Sequence, residues 1–232
     1  MVAPLFQDEV GTGEFAPARA AFPLDVITVE RAVDAPVDAL VDIDAALTLT
    51  DYDAEGAPLP DDLRRLAAPL SEVLSAELDG ACRHLGVPAV EVLLAALGRT
   101  VQRTAGRGVL VVDLMVEAAA TAHGVGVPCV GPAEVDATAL LTEVHAAITG
   151  GTAEGAEVAF SYTGAARAAE VIPGLGHALE LRVYREGGVV QLDWWYDTRQ
   201  FEHYTVEELT EQFPLALIEI TSEAVPTALE VA

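Results

Sequence analysis

The stretch Leu179–Asp197, LELRVYREGGVVQLDWWYD, is the feature that most constrains the fold of this chain. Leu179, Leu181 and Val183 alternate with Glu180, Arg182 and Tyr184, the two-residue period that places apolar side chains on one face of a strand. After Glu186-Gly187-Gly188 the alternation resumes, with Val190, Leu192, Trp194 and Tyr196 set against Gln191, Asp193 and Trp195. Two such runs joined through a glycine pair predict a β-hairpin. Trp194 and Trp195 fall on opposite faces, so one belongs to the core and the other, beside Tyr184, is a candidate contact residue.

Upstream the period changes. Leu74, Leu78, Ala81, Cys82 and Leu85 recur at helical spacing until Gly86 and Pro88 end the run. A second helix follows, with Val90, Leu93, Leu94, Leu97 and Val101 on one face, Arg99 and Arg103 opposite, and a basic last turn suited to a helix C-terminus. GVLVVDLMVEA reads as a strand covered on both faces. DATALLTEVHAAITGG returns to helical period, and the strand EVAFSY precedes the hairpin. Thr205 and Glu208 form a capping box for a last helix with Leu209, Phe213, Leu217 and Ile220 buried; Pro214 should bend it near Thr210. Residues 1–22 read as an irregular arm, and 24–52 alternate in a way that predicts strands. The turn DAEGAPLPDD then separates an entry segment, 1–60, from a main body, 61–232. The expected class is α/β: a layered sandwich with helices packed on a mixed β-sheet.

Charge narrows the partners. Thirty-seven acidic residues against 12 basic give a net charge of −25, so nucleic acid is not expected, because phosphate binding needs clustered Lys and Arg. A carrier protein, itself acidic, would need a local exception to this field. No apolar run reaches the ~20 residues of a membrane helix, and the acidic start has no export-signal pattern. Cys82 and Cys129 are far apart and read as buried free thiols; the expectation is a cytoplasmic protein with no membrane partner.

Several stretches, in order, resemble the C-terminal lobe of the condensation and epimerization domains of nonribosomal peptide synthetases, whose lobes have a chloramphenicol acetyltransferase-like fold. VEVLLAALGRTVQRTAGRGVLVVDL is similar to that family's LLAALARALARWTGRxxLLVDLEGHGRE segment, but after Asp113-Leu114 this chain has Met115-Val116-Glu117 and alanines in place of the GHGRE portion. HGVGVPCVGP stands where epimerization domains have TVGWFTxxYP; Val125 and Gly126 match, and Val127, Pro128 and Cys129 replace Trp, Phe and Thr. FSYTG keeps Phe160, Tyr162 and Gly164 of the FNYLG signature, LDWWYD resembles LxWxYS, and TVEELTEQFPLAL resembles the closing helix. The resemblance covers roughly residues 65–224. It implies a half domain of natural-product assembly, partnered by a synthetase module or carrier protein, and it makes a homodimer credible, because acetyltransferases of this fold are trimers with sites at subunit interfaces.

That family works through a paired-histidine HHxxxDG motif. The five histidines here, His84, His123, His145, His177 and His203, are all isolated in sequence, and none begins HxxxDG. A general base needs a histidine held by a neighbouring carboxylate, and the sequence supplies neither the pair nor the aspartate brace. No catalytic residue is assigned. Ser161, Tyr162 and His123 are the candidate substrate-binding residues. The first two follow Phe160 in the FSYTG strand, where an ordinary core role is the alternative; His123 precedes a glycine-rich stretch where the family lines its tunnel, with a solvated loop histidine as the alternative. Cys129 has no basic neighbour and should stay a protonated, structural thiol. No phosphate loop, nucleophile elbow or metal-ligand spacing appears, so neither a cofactor nor a metal is expected. Two readings remain: a non-catalytic binding or scaffold lobe, and one half of a split acyltransferase or condensation enzyme whose histidines come from a partner chain.

Overall fold

The computed structural model describes residues 45–116, 122–151, 153–163 and 176–226, all within one compact unit, Val41–Ala232. Its elements are β1 (Leu63–Ala67), α1 (Glu72–Leu85), α2 (Ala89–Thr104), β2 (Gly108–Val116), β3 (His123–Cys129), α3 (Ala137–Gly150), β4 (Val158–Tyr162), β5 (Leu179–Glu186), β6 (Val189–Asp197) and α4 (His203–Glu223). The six strands form one mixed sheet in the order β1-β6-β5-β4-β2-β3. Five-residue β4 runs parallel to both β2 and β5, while the remaining neighbours pair antiparallel.

The hairpin is the one expected. Glu186 pairs with Val189 across Gly187 and Gly188, at φ 59° and 88°, the left-handed geometry of a two-residue turn that glycine adopts at least cost. Leu179, Leu181, Val183, Val190, Leu192, Trp194 and Tyr196 are all buried. On β2 and β4 the same face continues as Leu110, Val112, Leu114, Val158 and Phe160. The helices cover it: Trp194 meets the edge of Phe213 on α4 at 5.8 Å, in a T-shaped pair. The expectation that β2 would be covered on both faces holds only for this side, because Val111 and Asp113 are half-buried and Met115 is 40% exposed.

Local signals set the helix ends. Ser71 Oγ accepts from the Leu74 N–H at 3.1 Å, and Gly86 closes α1 at φ 71°. Asp136 caps α3 by accepting from the Ala139 N–H at 2.8 Å. The start of α4 differs from the expected Thr205 cap: the helix begins at His203, with Glu202 as N-cap. The Glu202 N–H donates to Asp51 at 2.8 Å, so a residue far away in sequence holds the entry to the helix. Pro214 lies inside α4 without ending it.

Helix α2 is the centre of the helical layer, buried at every position from Glu91 to Val101. Arg99, expected on the outer face, is fully buried. Its guanidinium donates to the Val130 and Val135 carbonyls and lies 3.0 Å from Glu219 of α4, which also pairs with Arg103. The helical wheel puts Arg99 opposite the apolar stripe correctly; what it cannot show is that α4 and the β3–α3 connection cover that side too. Gly98 beside it is needed for the approach to β3, where an added Cβ would run into the Pro128 carbonyl oxygen.

Two strands were not anticipated, β1 and β3. HGVGVPC reads as a turn by composition, yet it pairs with β2 from Gly108↔Cys129 to Leu114↔His123. Of the strands expected over 24–52, residues before 45 lie outside the described ones. Within 45–52 there is a single bridge, Ala46 to Val109, and the segment is stitched down by Leu47 N–H to Val109 O at 2.8 Å and Leu49 N–H to the Glu157 carboxylate at 2.9 Å.

In the FSYTG strand, Phe160 is fully buried on the helix side and Ser161 points to the other face. Phe160→Ala is therefore expected to lower unfolding free energy by about 3–5 kcal/mol in urea titrations, and Ser161→Ala to change it by no more than about 0.5 kcal/mol.

Candidate functional site

Strand periodicity leaves the second face of the sheet with a different chemistry. One row across it runs Asp113, Ala159, Glu180, Trp195, Arg65, and the next runs Met115, Ser161, Arg182, Asp193, Ala67. Arg65 pairs with Asp193 at 2.8 Å, and Arg182 with Glu180 at 2.9 Å. The indole of Trp195 lies between the two guanidinium groups, 6.0 Å from Arg65 and 5.8 Å from Arg182, distances at which a cation is attracted to a ring face. The Tyr184 hydroxyl donates to Asp193 at 3.4 Å. Asp193 and Glu180 are buried, and their arginine partners make that burial tolerable. The result is a charge-balanced aromatic lattice inside a strongly acidic protein.

At one end of this lattice His177, just ahead of β5, sits with Nε2 2.7 Å from the Asp113 carboxylate. This is the aspartate-braced histidine that the sequence was not expected to supply. The signal for it was Asp113 itself, the one charged residue in the apolar run Val109–Val116. Two further histidines have partners: His145 Nδ1 lies 2.8 Å from Glu91, and His203 Nδ1 2.8 Å from the Tyr196 hydroxyl. A His–Asp pair can hold and pass a proton.

The three candidate binding residues do not converge. Ser161 lies on the polar face between Met115 and Arg182. Tyr162 shares the helix-side face with Phe160 and packs against the core. His123 is the first residue of β3, not a loop residue, and by its pairing with Leu114 it also belongs to the helix-side face. The glycines after it serve close packing: a Cβ on Gly124 would strike the Ala153 carbonyl. Cys129 is fully buried, and burial pushes its thiol up to about 12, which keeps it protonated and unreactive. Burial also raises the Cys82 thiol, with Asp79 adding to the effect. Among the described residues no group of three or more His, Cys, Asp or Glu side chains could hold a metal, and no single helix is long and apolar enough to cross a membrane.

Asp197 ends β6 and is the anchor of this face. Its carboxylate accepts from the Arg199 N–H at 2.9 Å, from Arg199 Nη2 at 2.7 Å and from Gln200 at 3.1 Å. Arg199 also reaches the Glu55 and Gly56 carbonyls, so this turn fastens the entry segment to the sheet. Burial of Asp197 acts to raise its pKa, but the hydrogen bonds from Arg199 and Gln200 outweigh it and hold the carboxyl below the usual range. A carboxyl depressed by folding stabilises the protein above its unfolded pKa of about 3.9 and ceases to do so as pH falls through the folded value. The unfolding free-energy gap between the native chain and Asp197→Asn is thus expected to be constant from about pH 7 to 5 and to shrink below about pH 4, as read by denaturant titrations across that range.

The fold is the chloramphenicol acetyltransferase-like α/β fold of a condensation or epimerization-domain lobe. The epimerization domain from the third module of tyrocidine synthetase B superposes with a TM-score of 0.56 at 17% identity, covering 77% of this chain and 52% of that one. The first condensation domain of the CDA synthetase gives 0.53 at 17%, covering 78% and 49%. The X-domain solved in complex with OxyB from teicoplanin biosynthesis gives 0.58 at 15%, covering 79% and 50%. In sequence the chain is similar to one component of the phenolphthiocerol/phthiocerol polyketide synthase of Mycobacterium tuberculosis, 33% identical over 222 residues, and equally to that of Mycobacterium bovis. The match covers 72% of this chain and 15% of the synthase component, so the chain spans a small part of the length of these curated relatives. No family model matches it.

Proposed function

We propose that this chain is a condensation/epimerization-like half domain of peptide or polyketide assembly, acting as a non-catalytic binding or scaffold lobe. In this reading the lobe proper is residues 61–232, and residues 1–60 are an entry segment preceding it. One observation carries the reading: the fold corresponds to about half of the solved epimerization and condensation chains, while the 232 residues contain no HHxxxDG. The X-domain neighbour, solved in complex with OxyB, is a precedent for a lobe of this fold that engages a protein. The partner is a synthetase module or carrier protein. On the polar sheet face the lattice of Arg65, Trp195 and Arg182 locally balances the acidic field, and we put contact with an acidic carrier there.

The His177–Asp113 pair favours a second reading, in which the chain is one half of a split acyltransferase or condensation enzyme and a partner chain brings the reactive histidines. Incubated alone with carrier-bound aminoacyl or acyl substrates, the chain is expected to give no condensation or epimerization product by mass spectrometry. Turnover by the chain alone, abolished by replacing one of its histidines, would overturn the scaffold reading. Turnover only after adding a chain with HHxxxDG, and lost in His177→Ala, would establish the second.

Association with a second copy or a partner should strengthen as salt rises. Between about 0.01 and 1 M the Debye length falls from ~30 to ~3 Å, so repulsion within the acidic field fades while apolar burial does not. Trp194 is fully buried against α4, which leaves Trp195 as the tryptophan for such a contact. Light scattering across this range is expected to show growing mass, with less of it in Trp195→Ala; a constant monomer mass would contradict the homodimer.

A further inference from the structure

Away from the sheet, the turn between α1 and α2 and the side of α3 enclose a chamber of about 370 Å³. Leu85, Val87, Pro88, Leu141 and Val225 give it an apolar wall. Into this wall is set one carboxylate, Glu91, whose side chain is only 6% exposed, while His145, its partner through Oε1, is 61% exposed at the rim. Apolar enclosure with one convergent polar group is the usual make-up of a small-molecule site, and the volume lies at the small end of the ~300–1,000 Å³ range.

The polar groups of the chamber specify what it would take. Glu91 lies in the first turn of α2, where the helix dipole favours negative charge. The imidazole occupies Oε1, and no hydrogen bond reaches Oε2 from any described residue. The Thr142 hydroxyl donates to the Thr138 carbonyl, and Thr138 Oγ accepts from the Val225 N–H, tying the segment after α4 across the chamber. No arginine lines it. The chamber therefore offers, in an apolar wall, a carboxylate oxygen that no described residue occupies. The net charge of −25 raises the local concentration of cations and lowers that of anions.

We propose that this chamber binds a small protonated amine with an apolar body. Its ammonium group donates to Glu91 Oε2, and its hydrocarbon fills the space between the α1–α2 turn and α3. The site is separate from the polar sheet face and does not depend on whether the lobe is catalytic.

The test is titration calorimetry of the full chain near pH 7.5 with 2-phenylethylamine, 2-phenylethanol and 3-phenylpropionate, three ligands of similar shape and different charge. The amine should bind saturably, the alcohol on the order of tenfold or more weakly, as expected for loss of a charge-assisted hydrogen bond, and the carboxylate not at all. Methyl NMR shifts on adding amine should concentrate at Leu85, Val87 and Leu141. Glu91→Gln should bring amine affinity down to that of the alcohol. Thr142→Trp, at an exposed rim position, should block amine and alcohol alike without lowering the melting temperature, and it decides the matter if Glu91→Gln does not fold. Equal affinity for amine and alcohol, shifts elsewhere, no amine binding at millimolar concentration, or unaltered binding in a folded Thr142→Trp variant would overturn the proposal.

Discussion

The press of α2 against β3 is the contact on which the rest of the lobe depends. A glycine in mid-helix is unfavourable by ~1 kcal/mol relative to alanine, yet Gly98 stands there because the Pro128 carbonyl occupies the space a side chain would need. One residue on, Arg99 ties the two carbonyls beyond β3 to Glu219 of α4. Burial, with the charge of Arg103 adding to it, lowers the pKa of the Arg99 guanidinium, and the charges of Glu219 and Glu223 oppose that shift. Helix α2 is thereby fixed at once to the edge of the sheet and to the last helix, and a chain that lost this clamp would leave a carboxylate and a guanidinium in the interior without compensation.

What could be read in the sequence follows from where each element sits. The hairpin β5–β6 and helices α1 and α3 bury one regular face, so their periods were plain, and α2 keeps an apolar stripe although its other side is covered too. The two strands that escaped, β1 and β3, are the two edges of the sheet. Edge strands tolerate Pro128 and the paired charges Arg64 and Arg65, and have no need of a continuous apolar face. Their sequences accordingly look like turns. Arg99 escaped for a related reason: a helical wheel shows one helix, and burial of its polar side is decided by neighbours that arrive later in the chain.

The candidate site was legible in its parts and not in its assembly. Trp195 and Asp113 stood out in their runs, but strand pairing alone brings Arg65, Asp193, Arg182 and Glu180 around the indole, and the segment ahead of β5 sets His177 against Asp113. The motif-based candidates Ser161, Tyr162 and His123 are distributed over both faces of the sheet. Neighbours in a strand point to opposite faces, so Ser161 and Tyr162 cannot serve one pocket through the sheet.

The short strand β4 gives the molecule a seam. Within the sheet it joins an antiparallel group, β1-β6-β5, to an antiparallel pair, β2-β3, and it lies parallel to the neighbour on each side. The β5–β6 hairpin closes through a two-residue turn, whereas β1 meets β6 and β4 meets β2 only after long connections are closed. Residues 158–162 are thus the strand through which the two antiparallel parts of the sheet are joined. Since β4 is hydrogen-bonded on both sides, the amide protons of these five residues are expected to report the opening of the whole sheet rather than the fraying of a part.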